Sequence, residues 1–336
     1  MHVIEASNAA LMWSLALEYV QREGQWQETR NGKALVVPHP VSLVYHNPLQ
    51  RVIFDPVRDA NPFFHLAESL WMLAGRDDAK WLDQFVGDFS SRFAQEDGRQ
   101  HGAYGRRWRD WFPMEHSSVW QLEDGPCDQL TTVVRLLKNN KQDRQAVIQM
   151  WDTQSDLAVP GLKDRPCNIS ICLRADQDKL DMMVTCRSND LVFGALGANA
   201  VHMSILQEYL AARIGIPVGT YTQVSFNLHL YEWALEKCNH DSAWQTWRGM
   251  VYPKPHHNLV EDPVTFDDEL TRIIDIPGTN MHGVSNTFLS ETFARMFSAN
   301  TARKEKRMDD AIAIAETIFA PDWRRACVEW LQRRQK

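Results

Sequence analysis

Cys167 stands in Arg165-Pro166-Cys167-Asn168, where a proline-imposed turn opens into an expected strand. A cysteine in such a place is ordinarily a small buried hydrophobe. Two neighbours change that reading. Arg165 comes directly before it, and Arg187 opens Arg187-Ser188-Asn189-Asp190 across an expected hairpin, so guanidinium charge is at hand to stabilise a thiolate and lower its pKa. Cys167 is therefore a candidate nucleophile. The other cysteines, Cys127, Cys172, Cys186, Cys238 and Cys327, form no CxxC pair, which signals neither a zinc ribbon nor a disulfide framework and fits a reducing cytoplasm. Pro255-His256-His257 has no third ligand at useful spacing and reads as a solvated loop, so no metal is expected. Gly194-Ala195-Leu196-Gly197 is followed by a helix core rather than a pyrophosphate cradle, so it is no dinucleotide fingerprint.

The elements that must hold these residues follow from patterning. Leu11 to Arg22 is apolar at helical spacing, and Ala34 to Tyr45 reads as a β-rich strand interrupted by Pro38 and Pro40. Asn61 to Leu73 starts Asn-Pro and repeats Phe64, Leu66, Leu70 and Leu73 near the helical period, which puts Glu68 inside an otherwise buried helix. Asp128 to Lys138 reads as a helix and Gln145 to Trp151 as a strand. Cys167 to Leu173 and Lys179 to Thr185 form a hairpin through the polar turn Arg174 to Asp178. Ala198 to Ala212 is a long apolar helix central to the core, and Thr220 to Tyr231 alternates like one strand. Ala302 to Ile318 and Trp323 to Trp330 are two amphipathic closing helices that pack on the domain surface. The mixture is α+β rather than regular βαβ.

Composition bounds the function. The chain has 336 residues with 44% hydrophobic and 24% charged, average usage for a globule with an ample core. Its net charge of -7 gives no general attraction to a polyanion, which makes duplex nucleic acid a poor partner. Met1 to Glu23 carries charges throughout, and no run approaches the roughly 20 apolar residues of a spanning helix, so membrane insertion and export are not expected.

Nine short pieces, in order and over roughly two thirds of the chain, resemble the thymidylate synthases and their relatives, the pyrimidine nucleotide hydroxymethylases. They are Thr29 to Gly32, Ala67 to Gly75, Ala103 to Trp108, Asp128 to Leu130, Asp143 to Gln145 leading to Trp151, Pro166-Cys167, Arg187 to Asp190, Gly194 to Asn199, and His229 to Tyr231. The resemblance implies a twisted mixed sheet at a dimer interface covered by helices, as a catalytic domain over 1–300 with a helical extension over 301–336. It implies a pyrimidine nucleoside monophosphate and 5,10-methylenetetrahydrofolate as substrates. A thiolate added at pyrimidine C6 makes C5 enolate-like, able to attack the one-carbon unit. Cys167 is carried over to that role. Glu68 handles protons through ordered water, Tyr104 assists proton removal from C5, and Asn199 offers a donor and an acceptor to the uracil edge. Arg30, Arg187 and Ser188 match the phosphate site, with Arg144 supplied by the other subunit of a homodimer. His229 and Tyr231 match the contacts to the sugar, and Asp190 the folate.

Departures from the family set the expected product. Ser90 stands where thymidylate synthases keep a tryptophan over the methylene intermediate, and Phe93 where they keep a second aromatic. A small polar residue admits water, which changes the product from 5-methyl to 5-hydroxymethyl, although Phe89 could swing in as cover. Asn168 replaces the usual histidine, Gln145 an arginine of the cross-subunit pair, and Asn227 an aspartate. One extra residue lies between Gly194 and Asn199; placed otherwise, the gap puts Ala198 at the base. The expected reaction is therefore dUMP to 5-hydroxymethyl-dUMP, in the manner of bacteriophage DNA-base modification. Thymidylate synthesis, dCMP or CMP hydroxymethylation, and a catalytically dead nucleotide- or RNA-binding protein are the alternatives.

Overall fold

In chain order the first half forms β1 (His2–Ala6), α1 (Ala9–Glu23), β2 (Gln25–Thr29), β3 (Gly32–Val36), β4 (Val41–Tyr45), α2 (Pro62–Leu73), α3 (Ala79–Leu82), α4 (Phe89–Phe93), α5 (Tyr104–Arg109), β5 (Pro113–Met114), β6 (Gly125–Pro126), α6 (Gln129–Asn139) and β7 (Val147–Gln149). The second half continues with β8 (Asn168–Asp176), β9 (Lys179–Cys186), β10 (Asn189–Asp190), α7 (Ala200–Ile214), β11 (Val218–Ser225), β12 (Leu228–Tyr231), α8 (Glu232–Asn239), α9 (Phe266–Asp275), α10 (Ala294–Lys304), α11 (Met308–Glu316) and α12 (Pro321–Gln332). Wider π-type turns occupy Thr153–Leu157, Leu191–Asn199 and Phe288–Phe293. This computed structural model describes residues 1–114, 125–176, 178–239, 251–275 and 283–335.

Local chemistry starts the helices where the sequence suggested. Asn8, Asn61 and Asp128 each accept a hydrogen bond from the backbone N–H three residues on, and Pro62 occupies the first turn of α2. Helix α7 is buried nearly all round and stops at Gly215, whose φ of 87° suits a glycine.

Two sheets share the work of building the site. The larger runs β1-β4-β11-β9-β8-β7 and the smaller β10-β12-β3-β2. After β9 the chain passes through Arg187 and Ser188 into β10, and after β11 it passes through Phe226 and Asn227 into β12. Both connections thus step from the larger sheet to the smaller one. Because β9 pairs β11 and β10 pairs β12, each in parallel, the two steps lie side by side. The Phe226 N–H donates to the Cys186 carbonyl and the Asn189 N–H to the Asn227 carbonyl, which staples them. This brings Arg187 and Ser188 alongside the segment that leads to His229.

Several expected elements are refined by these crossings. The run 34–45 is two strands in different sheets, broken where Pro38 and Pro40 withhold ladder N–H groups. The run 220–231 is likewise β11 and β12, broken at Phe226-Asn227. The hairpin strands run on to Asp176 and resume at Lys179, so the turn is shorter than 174–178. The tail holds three helices instead of two, and α10 spans position 300. Helix α12 folds back on α2, with Trp330 edge-on to Phe63 and the Arg333 and Arg334 guanidinium groups on Asp59.

One face of the larger sheet lies against α7, and the other is open among the described residues. Along the open face a cross-strand row runs Val147, Cys172, Met183, Thr222, Val44, Glu5. No helix among the described residues is long and apolar enough to cross a membrane.

Candidate active site

Cys167 is fixed through its main-chain groups, partly by other backbone and partly by the Tyr104 hydroxyl. It sits at the entry to β8, where a register shift between Asn168 and Ser170 marks a bulge, a device that re-aims a strand end. Its N–H and that of Asn168 both donate to the Tyr104 hydroxyl, at 3.0 and 3.1 Å. The Arg187 N–H donates to its carbonyl. With its acceptor role doubly used, the Tyr104 hydroxyl keeps its own proton for a third partner. Burial, reinforced by the adjacent Cys167, holds that phenol well above its ordinary pKa, so it acts as a hydrogen-bonding acid and not as a phenolate.

The charge around the thiol differs from the expectation in one respect. Arg187 does approach, with Nη2 3.8 Å from Sγ, and Arg30 adds attraction for a thiolate. Arg165 turns away: its guanidinium donates to the carbonyls of Asp156 and Val159, at 2.8 and 2.6 Å. Burial outweighs the remaining cations, and Asp164 opposes them, so the resting Cys167 thiol is raised rather than lowered.

A ladder of amides leads inward from Cys167. Asn168 Nδ2 donates to Asn199 Oδ1 at 2.8 Å, Asn199 Nδ2 donates to Asn189 Oδ1 at 3.1 Å, and Asn189 Nδ2 donates to the Ser225 hydroxyl at 2.8 Å. All three asparagines are buried, and the remaining side-chain carbonyl of the set, Asn168 Oδ1, has no hydrogen-bond partner among the described residues. The extra residue between Gly194 and Asn199 is absorbed in the π-type turn, with Leu196 off helical geometry at φ -114°, ψ 27°. Asn199, and not Ala198, consequently meets Asn168. Arg58 closes the turn by donating Nε to the Leu196 carbonyl. A Cβ at Gly197 would come within 2.5 Å of the Arg58 guanidinium and 2.7 Å of the Val192 carbonyl, so glycine is required there.

Across the ladder lies a wall built from helices. Glu68 points from α2 toward α7, where its Oε2 is 3.2 Å from Nε2 of the buried His202. His65, one turn back from Glu68, sets its ring at 90° to His202 with centroids 6.3 Å apart, and burial keeps it neutral. Neither histidine was singled out from the sequence. His202 follows Asn199 by three positions, and that same-face spacing was the available signal. Nearby in the chain, on α4, the Ser90 hydroxyl donates to Asp83 Oδ2 at 2.6 Å and its N–H to Asp83 Oδ1 at 2.8 Å. Phe89 is locked between Phe64 and Phe93, at 5.6 and 4.9 Å, and is not poised to swing over Ser90.

The remaining residues frame the opening. Arg30 is exposed at the β2–β3 turn, and Asn31 beside it donates to the Tyr231 hydroxyl at 3.3 Å. His229 Nδ1 pairs with Asn227 Oδ1 at 2.8 Å, and burial lowers its pKa. Asp190 accepts from the Phe193 N–H through Oδ1, while its buried Oδ2 has no partner among the described residues; burial raises its pKa. Arg144 is exposed on the loop between α6 and the edge strand β7. His256 is hydrogen-bonded to Glu208, and no cluster of three metal-ligating residues occurs among the described residues.

Known proteins resemble the chain over much of its length. The family model for thymidylate synthase matches residues 13–267. The deoxyuridylate hydroxymethyltransferase of Pseudomonas phage M6 is 39% identical over 100% of this chain and 95% of its own. That of Bacillus phage SP01 is 36% identical over 69% of this chain and 59% of its own. The thymidylate synthase of Haloferax volcanii is 28% identical over 53% of this chain and 52% of its own.

Proposed function

The chain belongs to the thymidylate synthase family and is a one-carbon transferase, and from that premise we propose that it converts dUMP, 5,10-methylenetetrahydrofolate and water to 5-hydroxymethyl-dUMP. Cys167 Sγ attacks pyrimidine C6, with Arg187 and Arg30 offsetting the charge of the thiolate as the buried thiol loses its proton. C5, made nucleophilic, takes the one-carbon unit from the folate. Tyr104, its proton uncommitted, orders the water that removes the C5 hydrogen. Expulsion of the folate leaves an exocyclic methylene, water adds to it, and Cys167 departs.

Binding is assigned on the same reading. Arg30, Arg187 and Ser188 hold the phosphate with Arg144 of a second copy, His229 and Tyr231 the sugar, and Asn199 the base. Asp190, with one buried carboxylate oxygen unpartnered, suits the donor edge of the folate. The homodimer is supported by the open face of the larger sheet, where Val147, Cys172 and Met183 are exposed in one row. Residues 301–336 serve as a packed helical extension, and the named phage relatives suit a reaction in the host cytoplasm.

The observation that carries the product is Ser90. A hydroxyl tied to Asp83 occupies the position of the tryptophan by which the methylating relatives exclude water. Incubation with 5-tritiated dUMP and methylenetetrahydrofolate should release tritium and yield a 5-hydroxymethyl product by mass, without dihydrofolate. Stoichiometric dihydrofolate with a 5-methyl product would make the chain a thymidylate synthase instead.

A further inference from the structure

Water that adds to a methylene carbon gives up a proton, and a group placed to take that proton speeds the step. The carboxylate of Glu68 is the candidate for that role, and His202 is paired with it. The two are 3.2 Å apart, His202 is 3% exposed, and its Nε2 is buried without an aligned hydrogen bond. An imidazole nitrogen enclosed this far and aimed at a carboxylate is costly to bury unless a proton passes or is shared there. The ladder leads toward it: Cys167 adjoins Asn168, Asn168 bonds Asn199, and Asn199 precedes His202 by three positions at the start of α7.

We propose that His202 is a positioning residue for the hydration step, sharing through Glu68 the proton released when water attacks the exocyclic methylene. This rests on the hydroxymethylase reading given above. The step balances without a redox partner. A water lone pair forms the new C–O bond, and the methylene π electrons move into the C5–C4–O4 system. The water proton passes to the Glu68–His202 pair. Collapse of the enolate then breaks the bond from C6 to Cys167 Sγ and restores the C5–C6 double bond. The imidazole Nε2, 3.2 Å from Oε2, gives that proton a second acceptor beside the carboxylate.

The other groups facing this pair do not compete for the role. His65 on α2 is kept neutral by its burial and by Arg58. Arg58 is engaged with the Leu196 carbonyl. From the sheet under α7, burial holds the Tyr221 phenol and the Cys186 thiol protonated. Tyr104 on α5 is likewise protonated, and Glu208 further along α7 is paired with Arg51 and His256.

Partition of the methylene intermediate tests this. A small thiol such as β-mercaptoethanol captures the methylene as a thioether in competition with water, and the two products separate by mass. In His202→Gln, which keeps side-chain size and a hydrogen-bond donor but does not ionise, tritium release should stay within about threefold of wild type while the thioether-to-hydroxymethyl ratio rises about tenfold. Ionisation of the thiol is common to both proteins and cancels in the comparison. His202→Ser is the second variant should the glutamine fold poorly, with the same expectation. An unchanged ratio in either variant, or tritium release falling in step with product, would overturn the proposal while leaving the hydroxymethylase reading intact. A wild-type protein that makes only 5-methyl product would overturn both.

Discussion

The nucleophile's surroundings and the wall opposite it are built from different materials. Cys167, Arg187 and Ser188 sit on strand ends pinned through their own main-chain groups, by the Arg187 N–H on the Cys167 carbonyl and by the Tyr104 hydroxyl on the N–H groups of Cys167 and Asn168. Glu68, His202, Ser90 and Asp83 are held by side chains reaching between helices and loops. The strand-built side should therefore decide whether chemistry occurs, and the helix-built side what the intermediate becomes. A substitution on the first side should remove all products together. One on the second should redistribute them.

The largest effect expected is Cys167→Ser. A hydroxyl is a far weaker nucleophile at neutral pH, so tritium release should fall at least about a thousandfold, with dUMP affinity within a few fold of wild type by calorimetry. Retention of near-normal turnover would break the division just drawn, because bond formation would then not depend on the strand side.

Asn199 joins the two sides and should show an intermediate effect. Asn199→Asp presents an acceptor to the cytosine amino group and no donor to uracil, so kcat/KM should shift from dUMP toward dCMP by about a hundredfold. The same change leaves Asn189 Oδ1 without its present donor, so a fall in thermal stability is expected alongside. Loss of both substrates equally would mean that the ladder is only structural.

Legibility follows the same division. Cys167, Arg187 and the Asn61-capped helix bearing Glu68 could be read because residue type and spacing along one or two adjoining strands or one helix carry the signal. The splitting of 34–45 and 220–231 between sheets was hidden because each half alternates correctly by itself, and only tertiary pairing tells which sheet a half joins. His202 was hidden because a histidine in an apolar helix reads as an ordinary core residue until a carboxylate from another helix is placed beside it. The π-type turn showed itself only as one residue too many before Asn199. Arg165 illustrates the opposite error: adjacency in sequence suggested a charge on the thiol, yet the side chain found two carbonyls elsewhere.

The thiol itself gives a smaller test of the strand side. With burial raising the Cys167 pKa, the thiolate fraction at neutral pH is low, and alkylation by iodoacetamide should accelerate as pH rises through 7 to about 9. Arg187→Leu removes the cation nearest Sγ and should slow alkylation at fixed alkaline pH by about tenfold, equivalent to about one pKa unit. A rate independent of pH would indicate that the thiol is already ionised, against the balance of burial and charge seen here.

The smallest effect is expected from Ser90→Trp, which sharpens the comparison most. The indole should exclude water from the intermediate and let hydride from the bound folate compete, so a 5-methyl product and dihydrofolate should appear as a minor fraction. Conversion should be incomplete for a reason visible in the structure: Ser90 donates both its hydroxyl and its N–H to Asp83, and tryptophan withdraws the first of these. A half-buried carboxylate deprived of one donor costs about 1 kcal/mol and draws water to the same place the indole is meant to dry. Pairing the change with Asp83→Ala should therefore raise the methyl fraction above that of Ser90→Trp alone, with total tritium release unchanged within about threefold. If the double variant instead gave less methyl product than the single one, Asp83 would be positioning the cover and not the water.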